Sequence, residues 1–105
     1  MKNKKTKHKN FDKFVNEQLT KDPLLVDELL KQALQEYQKD GDEKALLITL
    51  KQVTLAKCGF QELANKTGLS RESLYKTLSS EGNPRMSTLK KILEALDYRL
   101  YFQHI

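Results

Sequence analysis

Phe60-Gln61-Glu62-Leu63-Ala64-Asn65-Lys66-Thr67-Gly68-Leu69-Ser70-Arg71-Glu72-Ser73-Leu74-Tyr75-Lys76 is the stretch whose reading decides the fold. Its pattern predicts two short helices, about 60–67 and 71–79, joined by Gly68-Leu69-Ser70. Two helices that cross steeply need a small residue where their backbones approach, and Ala64 supplies it. The turn needs a residue that tolerates left-handed geometry, and Gly68 follows four positions later. Leu63, Leu69, Leu74 and Leu78 are placed to pin the pair to a core. Ser70 is the natural cap of the second helix, its hydroxyl accepting a free backbone N–H. With Leu74 and Leu78 inward, the helical repeat turns Glu72, Tyr75, Lys76 and Ser79 outward and leaves Ser73 at the flank. Arg71 falls nearer the core side by angle, but it sits in the exposed first turn, where a long side chain can swing outward.

A glycine turn between helices occurs in any small helical protein. A second helix with a polar outer face, followed by a loop and a further amphipathic helix (Leu89, Ile92, Leu93, Leu96), is narrower. It matches the helix-turn-helix geometry in which the N-terminal residues of the second helix enter the major groove of DNA.

Working toward the N-terminus, Cys58-Gly59 ends a helix expected from about Glu43 to Lys57, with Leu46, Leu47, Leu50 and Val53 inward. Before it, Asp22-Pro23 reads as a helix start, a capping carboxylate followed by proline at the first helical position. Leu25, Val26, Leu29, Leu30, Ala33, Leu34 and Tyr37 then recur at three- and four-residue spacing, as one apolar stripe on a helix ending near Lys39. Asp40-Gly41-Asp42 closes that helix and caps the next. The first ten residues read as disordered, and Phe11 to Leu19 as a short amphipathic turn or helix at best. Toward the C-terminus, Ser80-Glu81-Gly82-Asn83-Pro84 is a loop and about Ser87 to Leu96 a helix. Tyr98-Arg99-Leu100-Tyr101-Phe102-Gln103 alternates and is aromatic, which predicts a strand. An isolated strand leaves its backbone unpaired, and a second copy across a dimer axis is the simplest neighbour. The expected fold is therefore all-α with about five helices and a short C-terminal strand. A tail at 1–19 precedes one helical domain at 20–105, whose helix-turn-helix core spans 43–96 and whose strand spans 98–103.

At 105 residues the chain has room for one domain with a modest core. A domain this small gains from a partner or a second copy. No apolar run approaches the length of a membrane span, and Met1-Lys2-Asn3-Lys4-Lys5 has no apolar segment behind it, so it does not read as a secretory signal. Cytoplasm is the expected location. The net charge of +5 is unevenly placed. Residues 1–14 carry six Lys against Asp12, a net of +5. Residues 15–43 carry three Lys against eight carboxylates, a net of −5. Residues 44–105 carry ten Lys or Arg against five acids, again +5. Alternating charge serves to keep a helical protein in solution; it also suits a second half that meets polyanion and a middle segment that meets something basic.

These residues carry a specific resemblance. Residues 60–96 resemble a lambda-repressor-like helix-turn-helix domain. The longer run of Asp22-Pro23, Gly41-Asp42, Gly68-Leu69-Ser70-Arg71-Glu72-Ser73-Leu74-Tyr75, Leu78-Ser79, Gly82-Asn83-Pro84 and Thr88-Leu89 resembles the probable addiction-module antidote family, over about residues 19–103. These are antitoxins of bacterial toxin–antitoxin pairs. The resemblance implies that the chain neutralises a small ribonuclease-like toxin of the RelE/ParE type encoded beside it, and represses their shared operon. Carried over by position, Arg71, Glu72, Ser73 and Lys76 are the base readers, Arg to guanine and Glu to cytosine N4. Tyr75, Asn65 and Lys66 are candidate phosphate contacts. One departure stands out: the wider superfamily often opens the first helix with a phosphate-holding Gln, where this chain has Phe60, with Gln61 one step on as a candidate substitute. Arg71 has a structural alternative, bonding to the Glu81-Gly82-Asn83 loop.

Asp27, Glu28 and Glu36 are the candidate contacts to a small basic toxin. Opposite charge there speeds association and sets orientation more than it adds affinity. Nothing argues for an enzyme or a cofactor. His8 and His104 lie in the terminal segments with no partner for metal or acid–base work, and the single Cys58 beside Gly59 reads as a small residue at a helix end. Two other functions fit the same residues: a stand-alone helix-turn-helix regulator with no toxin, and an interaction module that no longer binds DNA. The basic side chains Lys66, Arg71, Lys76, Arg85, Lys90 and Lys91 argue against the last.

Overall fold

The computed structural model describes residues 21–101 and 103–105; the readings made for the basic tail and for Phe11 to Leu19 lie outside them. Five helices follow one another among the described residues: α1 Pro23–Asp40, α2 Glu43–Lys57, α3 Gly59–Thr67, α4 Arg71–Thr77 and α5 Met86–Ala95. The starts of α1, α2 and α4 are set by side chains that satisfy free N–H groups. Asp22 accepts from the Leu25 N–H at 3.2 Å, and Asp42 from that of Ala45 at 3.2 Å. Ser70 accepts from the Ser73 N–H at 3.1 Å. Each such cap is worth about 1 kcal/mol against alanine.

The 3.6-residue period decides what these helices bury. Val26, Leu30 and Ala33 of α1 lie against α2, which contributes Leu46, Leu47, Leu50 and Val53. Phe60, Leu63 and Ala64 of α3 meet α2, α4 and α5, and Leu74, Leu78, Ile92, Leu93 and Leu96 complete a single apolar cluster. Thr54 is the buried polar residue of this core, its hydroxyl donating to the Leu50 carbonyl at 2.8 Å.

Two glycines shape the approach to α4 for different reasons. Gly68 closes α3 in the left-handed region, φ 76°, with its N–H on the Ala64 carbonyl. Gly82 is needed for space: a Cβ there would stand 1.9 Å from the Thr77 carbonyl oxygen. The loop after α4 thus crosses the end of that helix in direct backbone contact.

The strand expected over 98–103 is not formed: there is no strand among the described residues, which include all of that segment but residue 102. The reason is local. Asp97 turns left-handed at φ 71°, and the Tyr98 N–H donates to the Leu93 carbonyl at 2.8 Å. Leu100 then lines an apolar groove with Leu34, Tyr37, Met86 and Leu89. The alternation comes from a chain lying on helices, with Tyr98 and Leu100 half-buried and Arg99 and Tyr101 exposed. α4 also ends at Thr77, two residues short of the expected Ser79, whose hydroxyl instead donates to the Lys76 carbonyl at 2.7 Å.

Candidate nucleic-acid interface and acidic face

α4 is held by Leu74 and Leu78, both fully buried, which leaves its other faces to solvent. Arg71, Glu72, Ser73, Tyr75 and Lys76 are all exposed. By the helical repeat, Lys76 lies opposite the buried pair, with Glu72 and Ser73 on its two sides and Tyr75 nearer the core. Among the described residues the Arg71 side chain makes no hydrogen bond or ion pair, so the bond to the 81–83 loop is not made and its guanidinium is available. A donor row of Arg71, Ser73 and Lys76 beside the acceptor Glu72 can address base edges and phosphates together.

On α3, Gln61 and Asn65 are exposed on the side away from Leu63, and Lys66 is exposed on the flank one turn after it. The Gln61 amide donates to the Asn65 side-chain carbonyl at 3.3 Å, so those two form one polar unit. Lys66 lies 3.6 Å from Glu62 one turn back, an exposed pair that adds little to stability. It does moderate the positive charge that Lys66 offers.

Phe60, at the start of α3, has a place that sequence spacing does not reveal. Its ring is 3% exposed and stacks on that of Tyr75, centroids 3.9 Å apart and planes 14° from parallel. The stack ties the first turn of α3 to the middle of α4. An aromatic residue opening α3 and another on the flank of α4 were the available signal, since the apolar part of an exposed Tyr seeks cover.

The acidic residues of α1 divide in the structure. Glu28 is exposed and Glu36, also exposed, accepts from Gln32 at 3.4 Å. Asp27 accepts a hydrogen bond from the Tyr98 hydroxyl, a contact across 71 positions that has no local signature in the sequence. The Lys57 ammonium stands 4.5 Å over the same Tyr98 ring. Burial first, then the Asp27 hydrogen bond and the charges of Asp27 and Asp97, push the Tyr98 phenol well above its ordinary range.

Cys58 lies half-buried between α2 and α3, and burial, with Glu62 adding to it, pushes its thiol up. A thiol held protonated is a poor nucleophile. Among the described residues no three His, Cys, Asp or Glu side chains gather as a metal site. No described helix is long and apolar enough to cross a membrane.

Residues 9–104 match the model of a family described as probable addiction module antidote protein. An uncharacterized protein of Haemophilus influenzae is 33% identical over 80 residues, covering 76% of this chain and 81% of its own length. No solved structure gives a significant match. The chain belongs to the probable addiction module antidote family.

Proposed function

We propose that this chain is the antitoxin of a type II toxin–antitoxin module, which neutralises a small basic toxin of the RelE/ParE type and represses its own operon through a helix-turn-helix. An antidote family implies a toxin partner. The observation that carries the DNA-binding half is the free polar face of α4, where two buried leucines hold Arg71, Glu72, Ser73 and Lys76 to solvent. In this reading α4 enters the major groove, α3 rests against the backbone through Asn65, Lys66 and Gln61, and two copies read half-sites about one helical turn apart. The exposed carboxylates of α1, Glu28 and Glu36 foremost, face the toxin, and the location is cytoplasmic. α1 and α4 are separate surfaces, so one protein can hold toxin and operator together.

The test of the DNA half is a mobility-shift titration of the chain on the duplex upstream of its own gene, at several salt concentrations, against a random duplex of equal length. Tighter binding to the upstream duplex, weakening steeply with salt, supports the reading. Equal, salt-insensitive retention of both duplexes, or none, leaves an interaction module without an operator.

A further inference from the structure

The aromatic stack between α3 and α4 assigns a role to two side chains. Tyr75 directly follows the buried Leu74, so it emerges on the flank of α4 rather than at its outermost line. Phe60, buried at the first turn of α3, covers one face of its ring at 3.9 Å between centroids. Yet Tyr75 remains 43% exposed, and its hydroxyl has no hydrogen-bond partner among the described residues. A tyrosine that served only to close the core would do as well without that hydroxyl. With the ring fixed at one face, what it offers outward is a phenolic O–H donor on a rigid support that has little rotamer freedom left to lose.

We infer that Tyr75 is a phosphate ligand in the DNA complex, its O–H donating to a backbone oxygen at the wall of the groove, and that Phe60 is the positioning residue that aims it. The flank position suits a backbone contact, because the bases lie beneath the outermost line, where Lys76, Glu72 and Ser73 stand. The inference rests on the proposed DNA-binding reading of α4 and adds to it a neutral contact that conveys no sequence information.

The experiment is a set of mobility-shift titrations with the full chain on the upstream duplex and on a random duplex. The proteins are the wild type, Tyr75→Phe, Phe60→Leu, the double variant and Lys76→Ala. Tyr75→Phe keeps the stack and removes only the hydroxyl, and should weaken binding to both duplexes by about tenfold, the low end for a hydrogen bond to a charged acceptor. Because no cation is removed, its salt slope should equal that of the wild type, whereas Lys76→Ala should flatten the slope by about 1. Phe60→Leu should give a similar loss, and the double variant no further loss, the sign that the two act as one unit. Thermal unfolding confirms that each variant is folded; should Phe60→Leu not fold, Tyr75→Phe alone still decides the phosphate contact. Wild-type affinity for Tyr75→Phe beside a weakened Lys76→Ala overturns this inference and leaves the DNA-binding reading standing. Loss on the upstream duplex alone overturns it too, since that marks a base contact. Absence of wild-type binding to either duplex overturns both.

Discussion

The Tyr98 hydroxyl donates to the Asp27 carboxylate, so the chain leaving α5 is bonded to the acidic face of α1. Lys57, at the end of α2, covers the same ring at 4.5 Å. Three parts of the molecule distant in sequence therefore meet at one phenol. Such a site makes stability depend on the state of that group.

The Tyr98 phenol is pushed upward, and the direction fixes the pH dependence. The folded protein favours the neutral phenol. Below about pH 10, the ordinary tyrosine value, both states hold the proton and the contribution is complete. As pH rises beyond it, the unfolded chain loses the proton first, so stability falls until the folded-state group titrates too. Denaturant titrations should show a decline above about pH 10 in the wild type that is shallower in Tyr98→Phe. At neutral pH the variant should lose about 1 kcal/mol, the hydrogen bond alone. A decline of equal steepness in both proteins would place its origin elsewhere.

The same contact separates the three acidic candidates on α1. Charge reversal at Glu28 and Glu36 removes exposed carboxylates and should change unfolding free energy by less than about 0.5 kcal/mol. It should also slow association with a basic toxin several-fold, most strongly at low salt. Asp27→Lys breaks the Tyr98 bond as well, so it should lower both stability and toxin association. Paired calorimetry and association kinetics distinguish these. Unchanged association in Glu28→Lys/Glu36→Lys would move the toxin surface off α1.

Gly68 and Gly82 both flank α4, but replacing them should have unequal consequences. At Gly68 the backbone is left-handed and the space around a Cβ is open, so Gly68→Ala should cost about 1 kcal/mol. At Gly82 the added carbon meets the Thr77 carbonyl oxygen at 1.9 Å and its carbon at 2.7 Å, both backbone. Either the loop or the end of α4 has to move, and Gly82→Ala should cost upwards of about 2 kcal/mol. Chemical denaturation midpoints rank the two; a smaller loss at Gly82 would mean the loop yields easily.

What the sequence shows of this fold is what is local. Asp22-Pro23, Asp42 and Ser70 mark helix starts because each cap bonds within three residues, and the leucine spacing marks the core because a helix repeats every 3.6 residues. The misread strand has the opposite cause. Tyr98 and Leu100 alternate as a strand does, yet a chain draped over α1 produces the same pattern, and only the tertiary neighbours tell them apart. The Phe60–Tyr75 stack and the Asp27–Tyr98 bond join residues 15 and 71 positions apart, which no local rule connects. For the candidate interface, the polar face of α4 followed from Leu74 and Leu78 alone. The freedom of Arg71 from the neighbouring loop did not, because it depends on the path of that loop.

Arg71 and Lys66 should fail differently when truncated. If Arg71 pairs with a guanine, Arg71→Ala costs about 1–3 kcal/mol on the upstream duplex and relaxes preference at one base pair. Lys66→Ala, at the exposed candidate phosphate contact on α3, weakens all duplexes alike. Selection of bound sequences from a random pool by each variant gives the answer; an unaltered preference in Arg71→Ala would remove it from the base readers.

The most direct measurement of the central claim is co-purification of this chain with the product of the neighbouring open reading frame, only the neighbour being tagged, alongside growth of cells that express one or both. The account predicts a stoichiometric complex, arrest of growth by the neighbour alone and growth restored by co-expression. A neighbour that is harmless by itself and elutes without this chain would contradict it.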